Sequence, residues 1–284
     1  MPEPVLGHVS DTARWVATYR AWESARPDAL FKDPLAARLA GERGPAIAAQ
    51  VPRGSRNGWP MVTRTKLLDD LLLASIAEGC DRVVNLAAGL DTRPYRLDLP
   101  RSLSWVEVDL PALVEEKEGL LAGETPRCEL RREKADLADA ATRAAVLARA
   151  TAGASRVVVV TEGLLIYLEA AVVRSLAQDL AACAPVRYWL LDLVSPAIRD
   201  MLSKGMRGLL ENAPLKFAPP DGVAFFASLG WRVRETPSIF HAGVRFRRVP
   251  LLLRPFALLP PPDPRRPGTH RPWSAVVRLE RPGS

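Results

Sequence analysis

Histidine is scarce in this 284-residue chain: His8, His241 and His270 are the whole supply. A multi-histidine metal site is therefore not expected. The three cysteines, Cys80, Cys128 and Cys183, are far apart, form no metal pattern and sit beside apolar residues as small core filler. No metal ligand is assigned. An uninterrupted apolar span of the roughly twenty residues that a membrane helix needs is also missing. Met1-Pro2-Glu3-Pro4 lacks a basic region followed by an apolar one, so no secretory leader is expected and the reading is a cytoplasmic protein without a membrane partner. Lysines are few, and although the net charge is +7, the arginines are interleaved with acids along the chain. Basic pieces such as Arg245-Phe246-Arg247-Arg248 and Arg265-Arg266 are short, and nucleic acid is not an expected partner. The Gly-x-Gly-x-x-Gly fingerprint is absent too. That counts against NAD, whose pyrophosphate requires several bare amides at one helix start.

What the chain does carry centres on Arg82-Val83-Val84-Asn85-Leu86-Ala87-Ala88-Gly89-Leu90-Asp91-Thr92-Arg93. The run from Val83 to Leu86 is short, apolar and β-branched at its start, which predicts a buried parallel strand. It leads into Ala87-Ala88-Gly89, a loop of minimal side chains that lets a ligand approach the backbone, and Asp91 or Thr92 can cap the following turn. About twenty residues on, Trp105 to Leu110 forms a second apolar strand ending in an acid, Asp109. Strand, small-residue turn, crossover and acid-terminated strand is how Rossmann-like folds hold a nucleotide, the acid gripping the ribose hydroxyls. The pattern does not by itself choose between a dinucleotide and S-adenosylmethionine.

Upstream, helices are predicted over Ser10 to Ser24, capped by Ser10 or Asp11, and from Asp33-Pro34 through Leu39. Gly41 to Gly58 reads as a loop with at most one helical turn, and Pro60 to Ala77 as a long amphipathic helix. Everything before Arg82 is thus a helical prelude able to cap the face where a sheet binds ligand. Downstream, strands are predicted at Ser104 to Leu110, Arg127 to Lys134, Arg156 to Thr161 and Val186 to Leu193. They alternate with helices at Pro111 to Leu121, Asp139 to Ala150 and Glu169 to Ala184. The alternation predicts an α/β fold, a doubly wound parallel sheet, with ligand beyond the carboxyl ends of the strands. Ala87 to Gly89, Asp109, Asp136 and Glu162 fall at that edge. After Ser195-Pro196 the pattern changes. A methionine-bearing helix over Ile198 to Leu210 suits a pocket wall, and Pro219-Pro220 opens a helix through Leu229 stopped by Gly230. Trp231 to Thr236 and Trp273 to Leu279 read as late strands, with Pro260 to Pro264 as a stiff exposed connection.

Six stretches give the chain a family resemblance. They are Tyr19-Arg20-Ala21-Trp22-Glu23-Ser24, Leu30 to Ala36, Arg64-Thr65-Lys66, Asn85 to Arg93, Glu107 to Pro111 and Thr161 to Leu168. From about Thr12 to Ser195 the sequence resembles the leucine carboxyl methyltransferase family, and more closely its bacterial branch of polyketide-type O-methyltransferases. The resemblance implies one class I methyltransferase domain over residues 1–284. Residues 1–80 would be the helical N-terminal cap, 81–196 the core that binds S-adenosylmethionine, and 197–284 a cap helix, late strands and the proline-rich connection. It also implies seven strands with the last antiparallel. Arg64 would then bind the methionine carboxylate, Ala87 and Gly89 approach the cofactor, and Asp109 hold the ribose hydroxyls. Asp136 and Leu137 would frame the adenine, and Glu162 would lie near the methionine end. The family usually shows Gly-Ala-Gly where this chain has Ala87-Ala88-Gly89, and alanine at the first position calls for an ordinary right-handed backbone there.

Methyl transfer from a sulfonium is an in-line displacement, with the acceptor oxygen held roughly 3 Å from the methyl carbon and water excluded. A carboxylate acceptor needs no general base because it is already ionised at neutral pH, whereas a phenol gains from one. The scarcity of histidine fits the carboxylate, giving a methyl ester of a secondary metabolite or peptide; a phenolic metabolite is the alternative. His241 and Glu162 are the candidate bases for that alternative. Trp15, Tyr19, Trp22, Met201 and Met206 could line an acceptor pocket, Arg20 could pair an acidic acceptor, and Tyr167 could contact it. No residue is assigned a catalytic role. The acceptor could arrive free or on a carrier protein or leader peptide. A degenerate cofactor-binding partner protein is the non-enzymatic reading.

Overall fold

The structure is a computed structural model that describes residues 10–52, 56–266 and 271–281. The amino-terminal tetrapeptide, His8 and His270 therefore lie outside the described residues. The chain opens with helix α1 (Ser10–Ser24), as its spacing predicts. Asp11 in the first turn grips Arg43 through both guanidinium edges at 2.6 and 2.7 Å. Helix α2 (Ala36–Ala40) starts later than expected, with Pro34 in the preceding turn and the Asp33 carbonyl accepting from the Ala36 N–H.

The stretch expected to be a loop instead forms a two-turn helix, α3 (Arg43–Gln50). Gly44 is what permits it. A Cβ there would come within 2.3 Å of Thr18 Oγ1 and 2.7 Å of the Arg14 carbonyl, so α3 packs on α1 only through a bare backbone. Helix α4 (Trp59–Ala77) then buries Leu67, Leu68, Leu71 and Leu72 on one face and delivers the chain to the sheet.

From there the predicted alternation appears in order. Strand β1 (Arg82–Leu86) is followed by a short helix α5 (Arg93–Arg96), then β2 (Ser104–Asp109) and α6 (Pro111–Leu120). Next come β3 (Glu129–Lys134), α7 (Ala140–Thr151) and β4 (Val157–Thr161). Every residue of the β4 valine run is buried, as a central strand covered by helices on both faces requires. Helix α8 (Ala170–Ala182) leads to β5 (Val186–Val194). The late region holds α9 (Pro196–Gly205), a single turn α10 (Ala224–Ala227) in place of the longer helix predicted to Leu229, and β6 (Arg232–Glu235).

A helix with no sequence expectation, α11 (Ile239–Arg245), follows, capped by the Ser238 hydroxyl accepting from the His241 N–H. Leu251–Leu258 winds as a 3-10 helix, and β7 (Ser274–Glu280) closes the chain. The connection at Pro260 to Pro264 is tied down at its end: Pro264 is buried and its carbonyl accepts from the Val223 N–H at 3.0 Å.

The sheet has seven strands in the order β3-β2-β1-β4-β5-β7-β6. β1 pairs in parallel with β2 and β4, placing the chain reversal of the doubly wound sheet at the centre. β7 runs antiparallel to both β5 and β6. One core packs α7, α8 and the aromatic group Trp189, Phe226 and Trp231 on one side of the sheet. The other packs α4 and α11 on the opposite side, while Trp15, Tyr19 and Ile47 make a separate core for the cap.

The departure at β1 is the backbone of Ala87. Its φ is +53°, left-handed, where an alanine was expected to hold a right-handed conformation. The chain must turn sharply off β1 so that the Ala88 N–H can reach the Val108 carbonyl on β2 and the Ala88 carbonyl can accept from Asp91. A Cβ in this region costs about 1 kcal/mol or more. Ala87→Gly is therefore expected to stabilise the fold by up to about 1 kcal/mol, net of the greater freedom glycine has when unfolded. Ala87→Val should lower the melting temperature, and differential scanning calorimetry of both variants reads the pair.

Candidate functional site

The carboxyl ends of β1, β2, β4 and β5 converge beneath α1 and α4, and the charged residues there divide into two groups. On the β1–β2 side, Asp109 accepts from the Gly89 N–H at 2.6 Å through one oxygen and from the Leu110 N–H at 2.7 Å through the other. Burial pushes its carboxyl up, and the two backbone bonds only partly offset that. A carboxylate has about four lone-pair positions, so further donors can still be accepted. Gly89 sits at φ +49° with the Ala13 methyl of α1 close above it: a Cβ added there would meet that methyl at 3.3 Å. Helix α1 thus roofs the loop with its smallest side chains.

On the β4–β5 side, Arg64 reaches down from α4. Its Nε donates to Glu162 Oε1 at 3.0 Å and its Nη1 to Asp192 Oδ2 at 3.2 Å. Asp192 also accepts from the Gly163 N–H at 2.6 Å, which holds the turn after β4 against the guanidinium. Nη2 of Arg64 makes no hydrogen bond among the described residues. Tyr167 lies alongside. Burial raises its phenol, opposed by Arg64 and by a hydrogen bond with Thr12.

Between the groups lies Arg93, only 2% exposed, which spans three segments. It contacts Asp69 of α4 at 2.6 Å, Asp91 of the loop after β1 at 2.6 Å and Glu162 at 2.7 Å. The contact with Glu162 is an ion pair off the line that a hydrogen bond needs. Arg96 adds a two-pronged bond to Asp69 at 2.7 and 2.8 Å. Burial alone would raise the Glu162 carboxyl, yet Arg93 and then Arg64 override it and bring it down to about 2.

Of the residues singled out from sequence, Arg64, Glu162 and Tyr167 are brought together, and Gly89 with Asp109. Ala87 lies in the same loop. Asp136 is exposed at the end of β3, where Oδ1 accepts from the Ala138 N–H at 2.9 Å, and Leu137 is half-buried with its carbonyl accepting from Arg143. Arg20, expected to meet an acidic acceptor, is instead spent on the protein: Nε binds Asp33 at 2.9 Å and Nη2 the Leu90 carbonyl at 2.5 Å. Tyr19, expected in a pocket, is buried in the cap core against Trp15 and Trp22. His241 is engaged by Ser238 Oγ at 3.1 Å and the Leu259 carbonyl at 3.4 Å. Arg64 does not pair with Asp69, which is buried on α4, or with Glu78 at the far end of that helix. Asp69 belongs to Arg93 and Arg96, and Glu78 to Arg278 and Tyr188.

Arg93, Asp69 and Asp192 were not singled out. The available signal was Asp192 at the end of an apolar strand, the same signal that marks Asp109 and Glu162. No group of histidine, cysteine or acidic side chains suited to a metal ion occurs among the described residues.

Comparison with known proteins adds four findings. Residues 13–181 match the model of the leucine carboxyl methyltransferase family. A candidate S-adenosyl-L-methionine-dependent methyltransferase of Frankia alni is 34% identical over 85% of this chain and 88% of its own length. A similarly named protein of Streptomyces coelicolor is 36% identical over 78% of this chain and 82% of its own. Among solved structures, a candidate methyltransferase from Thermobifida fusca superposes with a TM-score of 0.55 at 19% identity, over 88% of this chain and 93% of that one, a likeness of fold.

Because Arg93 neutralises three carboxylates in a dry setting, Arg93→Met should cost about 3–5 kcal/mol in urea unfolding by leaving them unpaired. Glu162 adds a pH signature. Its folded value of about 2 lies below its ordinary 4.5, so the stability it contributes is present above pH 4.5 and is lost as pH falls towards 2. Glu162→Gln should remove that part of the acid-unfolding slope, as followed by circular dichroism.

Proposed function

The chain belongs to the leucine carboxyl methyltransferase family, and from that premise we propose that it moves the methyl group of S-adenosylmethionine onto a carboxylate oxygen of a small metabolite or peptide, leaving a methyl ester. The residues at the sheet edge suit this donor. Asp109, buried and with acceptor positions to spare, is the group for the ribose hydroxyls, and the Gly89 N–H holds its carboxylate in place. Arg64 offers Nη2 to the methionine carboxylate. Glu162 and Asp192 hold that guanidinium in place. Asp136 and Leu137, at the end of β3, are assigned to the adenine.

When bound, the sulfonium supplies an electrophilic methyl carbon. The protein's part is to hold the acceptor oxygen in line and keep water out, and α1 closes the edge through Ala13 over Gly89.

The preference for a carboxylate over a phenol rests on Glu162. An acid held down to about 2 by two arginines is far too weak a base to take a proton from a phenol of pKa about ten. Tyr167 is pushed the other way and stays protonated at neutral pH. His241 is committed to Ser238 and Leu259. A carboxylate acceptor makes no such demand, and its charge cancels against the sulfonium along the reaction path.

Isothermal titration with S-adenosylmethionine should show binding to the native chain. Asp109→Ala should weaken that binding by about ten- to a hundredfold, the value of one or two charge-assisted hydrogen bonds; equal affinity in the two proteins would remove the ribose assignment. Radiolabelled methyl transferred to an acceptor should be released as methanol by mild base, whereas a base-stable product would identify an ether and reject the ester.

A further inference from the structure

The 3-10 helix at Leu251–Leu258 turns its apolar side outward. With three residues per turn, Leu252, Pro255 and Leu258 form one row along it. Leu252 is 90% exposed and Leu258 88%. Phe256 and Leu259 flank the row at 60% and 53%. Soluble chains scatter such side chains singly, and a contiguous projecting group marks a contact surface.

The segment around it is strongly basic. Residues 245–271 hold seven arginines and a single acid, Asp263. Arg248 is neutralised by Glu23 and Asp28, and Arg266 by Asp263. Arg245, Arg247, Arg254, Arg265 and Arg271 make no ion pair among the described residues. Arg254 and Arg271 donate only to backbone carbonyls, of Val249, Arg247 and Pro260, so their charge remains uncompensated beside the leucines.

We propose that this ridge docks the protein on an anionic lipid surface, with Leu252, Phe256 and Leu258 entering the interface and the arginines meeting the headgroups. Leucine and phenylalanine beside arginine is the composition of elements that lie in a membrane interface without spanning it, and it is consistent with the absence of a spanning helix among the described residues. The charge excludes a second copy as occupant, because a symmetric pair would set two basic rims against each other. The shape favours lipid over an acidic protein: a convex ridge must find a matching groove on a protein, whereas a lipid interface yields to it.

Co-sedimentation with vesicles tests the proposal. The native chain should bind vesicles of equal phosphatidylcholine and phosphatidylglycerol and not vesicles of phosphatidylcholine alone, with binding falling as salt rises. Leu252→Asp combined with Leu258→Asp should weaken binding about tenfold or more, and Arg247→Gln or Arg271→Gln about fivefold each. These side chains are solvent-exposed, so an unchanged melting temperature will confirm that each variant is folded. No binding to the mixed vesicles, equal binding to both kinds, or an unaffected leucine double variant would overturn the proposal. So would a lipid-free dimer that the leucine double variant dissolves, since the ridge would then serve self-association.

Discussion

A guanidinium with almost no water around it sits at the centre of this molecule. Taking a charge out of water costs several kcal/mol, and only well-placed opposite charges offset it. Arg93 finds them on α4, on the loop after β1 and at the end of β4, in Asp69, Asp91 and Glu162. Three segments far apart in sequence are thereby held to one point. Asp91 also accepts from Asn85 Nδ2 at 2.8 Å and from the Arg93 N–H at 2.8 Å, so the loop leaving β1 has little freedom. A second tie runs through Asp33, which holds Arg20 of α1 and the Thr92 hydroxyl at 2.6 Å. Cap and sheet are joined across the edge where the parallel strands end.

That arrangement explains which parts of the fold could be read in advance. Central strands declare themselves because both faces are buried: Val157 to Thr161 has no alternative to a covered parallel strand, and Val83 to Leu86 is nearly as unambiguous. β7 followed from its apolar content and its antiparallel run from a family resemblance, whereas β6 carries a single apolar residue between charged ones. Helix α3 was hidden because its Gly44 looks like a break in isolation and makes sense only once α1 lies against it. Helix α11 was missed although Ser238 before Ile239, Ala242 and Phe246 is a capped helical spacing; at two turns between strands it carries little periodic signal. The left-handed backbone at Ala87 is dictated by a bond to β2 that no local pattern reveals.

At the site, acids at strand ends were legible because the fold gathers those ends on one edge. Asp109 and Glu162 do lie at that edge. What the pattern could not supply was pairing. Arg20 and Arg64 are both arginines on cap helices, yet one is consumed by Asp33 and a carbonyl while the other meets the ends of β4 and β5 with a nitrogen to spare. Arg93 stood inside a recognised stretch, two residues after Asp91, and still gave no sign of Asp69 or Glu162, since ion pairs between distant segments leave no trace in spacing.

The position of Arg93 also bears on how damage to this protein shows itself. The side chain that fastens the cap to the sheet also fixes Glu162, which in turn holds Arg64, so a fault there loosens the fold and the ion pairs at the sheet edge together. A lesion of that kind is first a loss of stability, which an osmolyte offsets. A lesion at Asp109, whose carboxylate is held by the Gly89 and Leu110 amides, leaves those ties between cap and sheet in place.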